Sequence, residues 1–466
     1  MSGWTFNMLP AKVPKVSTRF RRIVTKLPVP ASLPLFRQLE RYESRSMHGQ
    51  MPIVWNKAEG FQVQDGYGNR WIDFTSTIFV ANTGHANPAI ASAMNKTIKQ
   101  KLLHTYTFAH KCRGEFIEYL IKMAPRQFQK AFLLSSGTEA TECAIKLMRL
   151  NGQRYRKDKV GIISFLGSMH GRTMGAEMLK GNPVSSAWIG YFDPHIYHLP
   201  FPYPWDEKQQ LLPSDYDWEK RFESDIQELK NKGVDFSKTA GFMIESYLGW
   251  GAIFYPKEYI QALTRFAKKH NILITFDEIQ GGFGRTGKLF VYQHYGVAAD
   301  LLCLGKGISG SLPLSAVIGS KQLMDLPGIG SMSSTHSANP LSCAAGLANI
   351  KYIKDHDLVK ESERKGRILH GYLNELKTRF PERISYILGK GLVAGILFKN
   401  PRTGKPDSVF PSNVCQRAMQ KGLLVVHTGR ESIKIGPPLT IPDAALTEGL
   451  ETLAEAIREI NEEAIG

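Results

Sequence analysis

Lys306 closes the run Leu301-Leu302-Cys303-Leu304-Gly305-Lys306-Gly307, an uncharged, strand-like stretch that ends in one cation between two glycines. A lysine at the end of an apolar strand loses solvation, so its neutral, nucleophilic amine becomes accessible. The flanking glycines let a bulky planar partner approach the backbone. The same pattern occurs earlier with opposite charge, where Ile272-Leu273-Ile274-Thr275-Phe276 runs into Asp277 and Glu278. Cation and carboxylate would share one sheet edge. A third feature is Leu133-Leu134-Ser135-Ser136-Gly137-Thr138-Glu139-Ala140, which reads as strand, small-residue turn and helix start. Free N–H groups at such a helix start face an incoming anion, so a phosphate fits there. An N-cap by Ser136 with nothing bound fits equally well.

An acid that pairs with a protonated ring nitrogen and a lysine that forms an imine are the two polar demands of pyridoxal phosphate. Taken singly, Asp277 and Lys306 read just as well as members of an ordinary buried ion pair. Beside an anion cradle, a phosphate-bearing aldehyde cofactor is the economical explanation. The glycines of Gly281-Gly282-Phe283-Gly284 invite a nucleotide-binding reading. Neither GxGxxG after a strand nor GxxxxGK[ST] occurs in the right setting.

These residues need a scaffold that brings strand ends together. Strands are expected at 131–134, 161–165, 241–244, 272–276, 301–304 and 315–318, with helices at 139–150 and 257–270. Short apolar strands separated by amphipathic helices predict an α/β fold with a mostly parallel sheet covered on both faces, and such sheets bind ligands beyond their strand ends. Before this body, alternating Phe61, Val63, Trp71 and Ile72 flank Asp65-Gly66-Tyr67-Gly68-Asn69, which predicts a β-hairpin. After Pro340 the texture changes to helices at 341–353 and 358–380, strands at 393–398, 423–426 and 432–435, and a final helix at 443–460. The division expected is a basic N-terminal arm (1–35), an N-terminal part of a small domain (36–84), a large cofactor-binding domain (85–339) and a C-terminal small domain (340–466).

With 466 residues and 42% hydrophobic content the chain can bury a large core. No apolar stretch is long enough for a membrane span, and no apolar signal-peptide core follows the start. The five scattered cysteines lack metal-ligand spacing and predict free thiols in a reducing compartment, with no metal site. Cytoplasmic residence follows, with the mitochondrial matrix left open by the arm. The net charge of +17 is partly local, since residues 1–39 hold seven Lys or Arg and no acid. A solvated basic arm is the expectation, with a transit peptide as the alternative and no nucleic-acid partner.

The chain resembles the class III pyridoxal-phosphate aminotransferases, the group of ornithine and 4-aminobutyrate aminotransferases, over about 40–460. The matching motifs are Ser136-Gly137-Thr138-Glu139-Ala140 with Lys146, His170-Gly171-Arg172-Thr173, Phe276-Asp277-Glu278-Ile279-Gln280 with Gly282-Phe283-Gly284-Arg285-Thr286-Gly287, Leu304-Gly305-Lys306-Gly307, and Ser334-Thr335 with Asn339-Pro340. The resemblance implies fold type I, with a large domain and a smaller α+β domain built from both chain ends. It implies that Lys306 forms the Schiff base with pyridoxal 5'-phosphate and then shuttles the substrate proton in a ping-pong transamination. Asp277 would hold the ring nitrogen protonated, Gln280 would contact the phenolic oxygen, and Glu245, Met169 and His170 would lie beside the cofactor. Ser136, Gly137 and Thr138 would bind phosphate from one subunit and Thr335 from the other, which makes a homodimer with shared sites.

Two departures bear on the substrate. Where relatives stack an aromatic ring before His-Gly-Arg, this chain has Met169, whose thioether positions a ring less rigidly. Where ornithine and 4-aminobutyrate aminotransferases grip a carboxylate with an arginine and hold it in reserve with a glutamate, this chain has Lys434 and Trp250. A point charge replaces a planar fork, so two-point carboxylate capture weakens. Arg172 and Arg430 remain carboxylate candidates. Ile78 and Phe79 would make the pocket apolar, which favours a ω-amine, a hydrophobic β- or γ-amino acid or a bulky amine as donor and an oxo acid or aldehyde as acceptor. An aminomutase, epimerase or decarboxylase would need the same Lys306 and Asp277. A non-catalytic binding protein of this fold would not.

Overall fold

The protein is described here by a computed structural model that covers residues 4–465. The first three residues of the expected arm and Gly466 lie outside the described residues. The central sheet has seven strands in the order Lys130–Leu134, Ser315–Gly319, Leu301–Leu304, Leu273–Asp277, Thr239–Glu245, Gly161–Phe165, Ile196–Leu199. Ser315–Gly319 runs antiparallel to both neighbours, and the remaining pairings are parallel.

The inner strands are largely apolar because both faces are covered. Side chains alternate across a strand, so Leu301 and Cys303 join one core with Met148 and Leu147 of the helix Gly137–Gln153. Leu302 and Leu304 join the other core with Tyr259 and Leu263 of the helix Lys257–Lys269. Register then sets the function. Asp277 pairs with Glu245 on one side and Cys303 on the other. The carboxyl ends of three parallel strands therefore bring Glu245, Asp277 and, three residues past Cys303, Lys306 to one edge.

The chain ends meet in a second sheet. The expected hairpin forms from Gln62–Gln64 and Arg70–Asp73, with Val63 opposite Trp71, and the Asp65 carboxylate accepts the N–H groups of Tyr67 and Asn69 across its turn. Leu423–Leu424 adds to Arg70–Asp73 in parallel. The single strand expected at 423–426 is in fact two. Leu423–Leu424 serves this sheet, and Val426–His427 pairs with Ser432–Ile435 in a third, antiparallel one. Outside the arm, three strands were not foreseen: Lys57–Glu59, which pairs with Gln62–Gln64, Ile196–Leu199 at the sheet edge, and Ile384–Lys390.

The solvated arm also needs correction. Val16–Ser17 pairs with Arg22–Ile23, and Arg22 pairs onward with Arg70. Ile23, Leu27 and Val29 are buried against Val63, Trp71, Met419 and Leu424. Apolar residues interleaved with the basic ones cover the hairpin, while Arg21 reaches Glu448 at 2.7 Å. Among the described residues no helix is long and apolar enough to cross a membrane.

Candidate active site

At the shared strand edge lies a cavity of about 360 Å3 whose walls include Lys306, Asp277, Glu245, Gln280, Gly137 and Thr138. Lys306 leaves its strand with a left-handed φ of 44°, a conformation that costs an L-residue energy and recurs at functional sites. Its amine has no hydrogen-bond partner among the described residues. Burial pulls its pKa below the ordinary lysine value, against the opposing charges of Asp277 and Glu245. The neutral amine that a carbonyl needs is thereby brought closer to physiological pH.

Asp277 is buried and fully oriented. Its Oδ1 accepts the Ile279 N–H at 3.0 Å, and its Oδ2 lies 2.8 Å from Nδ1 of the buried His170. A carboxylate can only accept, so His170 carries its proton on Nδ1 when Asp277 is ionised, and Nε2 faces Ser164 Oγ at 3.3 Å. Glu245 accepts the N–H groups of Met169 and Gly249 at 3.0 and 3.1 Å. Burial, and then the neighbouring Asp277, push its carboxyl up to about 8. Glu278 points the other way and ties down Val291, Tyr292 and Ser246. It is a structural group.

The opposite wall is the start of the helix Gly137–Gln153, whose first N–H groups have no intrahelical acceptor. A Cβ at Gly137 would stand 3.0 Å from the Ile279 side chain, so glycine lets the helix start lie close to the strand end without displacing Ile279. Thr138 Oγ1 is held 2.6 Å from Thr173 Oγ1. Ser136 is exposed, and its N–H and hydroxyl are taken by the Glu139 carboxylate at 2.7 and 3.0 Å. Ser135 lines the cavity in its place. A partnerless amine, an oriented carboxylate and a helix start open on one cavity, and these fit the aldehyde, ring nitrogen and phosphate of pyridoxal phosphate.

Other expected residues are spread more widely. Met169 and His170 lie on the cavity wall. Lys434 is 6% exposed, with Nζ 3.4 Å from Gln280 Oε1 and 5.1 Å from the centre of the Phe79 ring. Phe79 is itself buried, so it does not face the cavity as expected, and Ile78 is 45% exposed at the surface. The left-handed turn that carries both residues rotates their side chains away. Arg172 is exposed and off the cavity wall. Arg430 stacks on Trp250 at 3.7 Å, and both line a second cavity with Tyr203. Their indole–guanidinium stack draws them there, away from Lys306. Thr335 is exposed, its carbonyl accepting from His104 at 3.1 Å, and it does not reach the cavity of its own chain. Sequence reasoning missed the loop Ser311-Leu312-Pro313-Leu314, which forms a cavity wall. Its Gly310 and Pro313, just after Lys306, were the available signal.

The family described as aminotransferase class-III matches residues 44–457. The chain is 30% identical over 452 residues to a 4-aminobutyrate aminotransferase of Mycobacterium leprae, covering 94% of this chain and 98% of that protein. It is 34% identical over 420 residues to a 2-aminoadipate transaminase of Pseudomonas putida, covering 88% and 97%. Among solved structures, acetylornithine aminotransferase from Elizabethkingia anophelis superposes with a TM-score of 0.75 at 26% identity, covering 92% of this chain and 99% of that one.

Proposed function

We propose a donor and an acceptor class on one premise: the chain belongs to the class III aminotransferases and is a pyridoxal-phosphate-dependent transaminase of fold type I. Its two half-reactions run the same steps in opposite directions, with an amine entering the first and an oxo acid or aldehyde the second. When bound, pyridoxal phosphate supplies a carbonyl that exchanges amines and a ring that takes up an electron pair.

The chain's own residues would do the rest. Lys306 would anchor the cofactor and, once displaced by substrate, take the Cα proton on Nζ and return it. Asp277, oriented by His170 and the Ile279 N–H, would keep the ring nitrogen protonated. Gly137 and Thr138 would hold the phosphate. Lys434 Nζ donates to Gln280 Oε1, which leaves the Gln280 amide N–H groups free to donate to the phenolic oxygen. Met169 would cover one ring face. Residues 85–339 would form the cofactor domain and 36–84 with 340–466 the smaller one. Thr335 would complete the phosphate site of a second subunit in a homodimer, and we place the enzyme in the cytoplasm.

One observation carries the substrate class. Lys306 is the sole lysine or arginine among the described residues that line the cavity, and Lys434, the nearest other candidate, is buried under Phe79 and tied to Gln280. A substrate with a second carboxylate finds no free cation there. A ω-amine, a hydrophobic β- or γ-amino acid or a bulky amine suits the cavity as donor, with a small oxo acid or aldehyde as acceptor. Steady-state rates for a panel of donors against pyruvate and 2-oxoglutarate test this. A strong preference for ornithine with 2-oxoglutarate would refute it.

A further inference from the structure

Ser76, Thr77, Ile78 and Phe79 have φ of 44°, 53°, 59° and 69°, a whole turn of left-handed backbone built without a glycine. L-residues visit this region singly and at a cost, so four in succession must be held by their surroundings. Here the holding contacts are visible. Ser76 Oγ donates to the Gly436 carbonyl at 2.7 Å, Gly436 N–H donates to the Phe74 carbonyl at 2.7 Å, and Val80 N–H donates back to Ser76 at 2.8 Å. A side chain at Gly436 would collide with the Phe79 ring, so glycine there makes the ring's seat.

Two buried cations lie beside the seat. The ring centre is 5.1 Å from Lys434 Nζ and 5.3 Å from the Arg285 guanidinium. Arg285 is 0% exposed and donates to the carbonyls of Leu392 and Pro437 and to Asn82 Oδ1, yet its Nε has no partner and no carboxylate lies within ion-pair distance among the described residues. Lys434 has a neutral amide oxygen as its hydrogen-bond acceptor. Two buried positive charges without a paired carboxylate are an unusual expense, and an aromatic face is a weak substitute for an anion.

We propose that Phe79 is a specificity plug: the left-handed turn holds its ring in the space where a substrate carboxylate would otherwise meet Lys434 and Arg285, and so excludes dicarboxylic acceptors. The inference rests on the substrate class proposed above and assigns its cause to one side chain. Lys434 Nζ lies beside Gln280, a residue of the cavity wall, so the space under the ring adjoins the reaction site.

The test uses holoenzyme and glutarate, a dicarboxylate that cannot react, with binding read by titration calorimetry. Phe79→Gly removes the ring while suiting the positive φ. It is expected to bind glutarate at least tenfold more tightly than the wild type, a usual scale for opening or closing a pocket contact. Adding Lys434→Met to that variant should cut the gain, because only Arg285 then faces the carboxylate. In parallel, the ratio of kcat/KM for 2-oxoglutarate to that for pyruvate should rise about tenfold in Phe79→Gly, through KM. Phe79→Leu, which keeps the core filled but narrows the plug, serves if the glycine variant does not fold and should show a smaller gain. Unchanged glutarate affinity in a folded Phe79 variant, or a gain undiminished by Lys434→Met, overturns the plug. A wild-type enzyme that already prefers 2-oxoglutarate to pyruvate overturns the substrate class itself, whatever glutarate does.

Discussion

Replacing Lys434 by methionine should stabilise the protein at pH 7. Burial drops the Lys434 amine from 10.5 to about 8, so at neutral pH the fold holds it protonated at a cost of about 3 kcal/mol. The opposing charge of Glu245 raises the amine's value and Lys306 lowers it, and burial outweighs both, so the value of about 8 already contains whatever relief Glu245 gives. Methionine has a similar length and removes the charge. It forfeits the contact with the Phe79 ring, worth about 1 kcal/mol, and a long hydrogen bond to Gln280 at 3.4 Å, worth about 0.5 kcal/mol. The net expectation is a gain of about 1–2 kcal/mol at pH 7. The sign depends on pH in a definite way. The folded pKa lies below the unfolded one, so the penalty is fully present below pH 8, fades as pH rises towards 10.5, and is absent above it. Urea unfolding of wild type and Lys434→Met across that range should show the variant ahead at pH 7 and the difference shrinking to zero or reversing near pH 10. A variant destabilised by 2 kcal/mol or more at pH 7 would refute the reasoning, because it would mean that the ammonium is satisfied where it lies.

Two further outcomes follow from the same geometry. His170→Phe takes a charge-assisted hydrogen bond at 2.8 Å from Asp277, worth about 2 kcal/mol, so kcat should fall roughly 30-fold with an unchanged fold by circular dichroism. Deleting residues 1–29 removes the buried side chains of Ile23, Leu27 and Val29 and should lower the unfolding free energy by about 5 kcal/mol, seen as a lower denaturation midpoint.

The parts of this fold that could be read in the sequence are those decided locally. Leu301–Leu304 and Leu273–Asp277 are apolar runs because both sheet faces are covered, and the polar residues that end them had to emerge at an edge. Ile196–Leu199, an edge strand that alternates with Tyr197 and His198, lacked that signal. Ile384–Lys390 was obscured by Gly389. The arm was misread because prolines and cations dominate its composition, while the partners of Ile23 and Leu27 include Met419 and Leu424, almost 400 residues on.

In the site the division was similar. Lys306, Asp277 and the Gly137–Thr138 turn announced themselves by type and spacing. The contact between His170 and Asp277 joins residues 107 apart and depends on register that no local pattern encodes. Phe79 was taken for a pocket residue because it follows Asp73-Phe74 in the stretch where the resemblance to ornithine aminotransferase implies a pocket wall. Nothing in Ser76-Thr77-Ile78-Phe79, which has no glycine, signals a left-handed turn that swings the ring onto two cations.

The central claim is that Lys306 is the residue that binds pyridoxal phosphate covalently. Holoenzyme saturated with the cofactor, reduced with borohydride and mapped by peptide mass spectrometry, tests it directly. The account predicts a stable pyridoxyl adduct on the peptide containing Lys306, lost in Lys306→Ala. An unmodified Lys306, or an adduct formed at Lys434 instead, would contradict it.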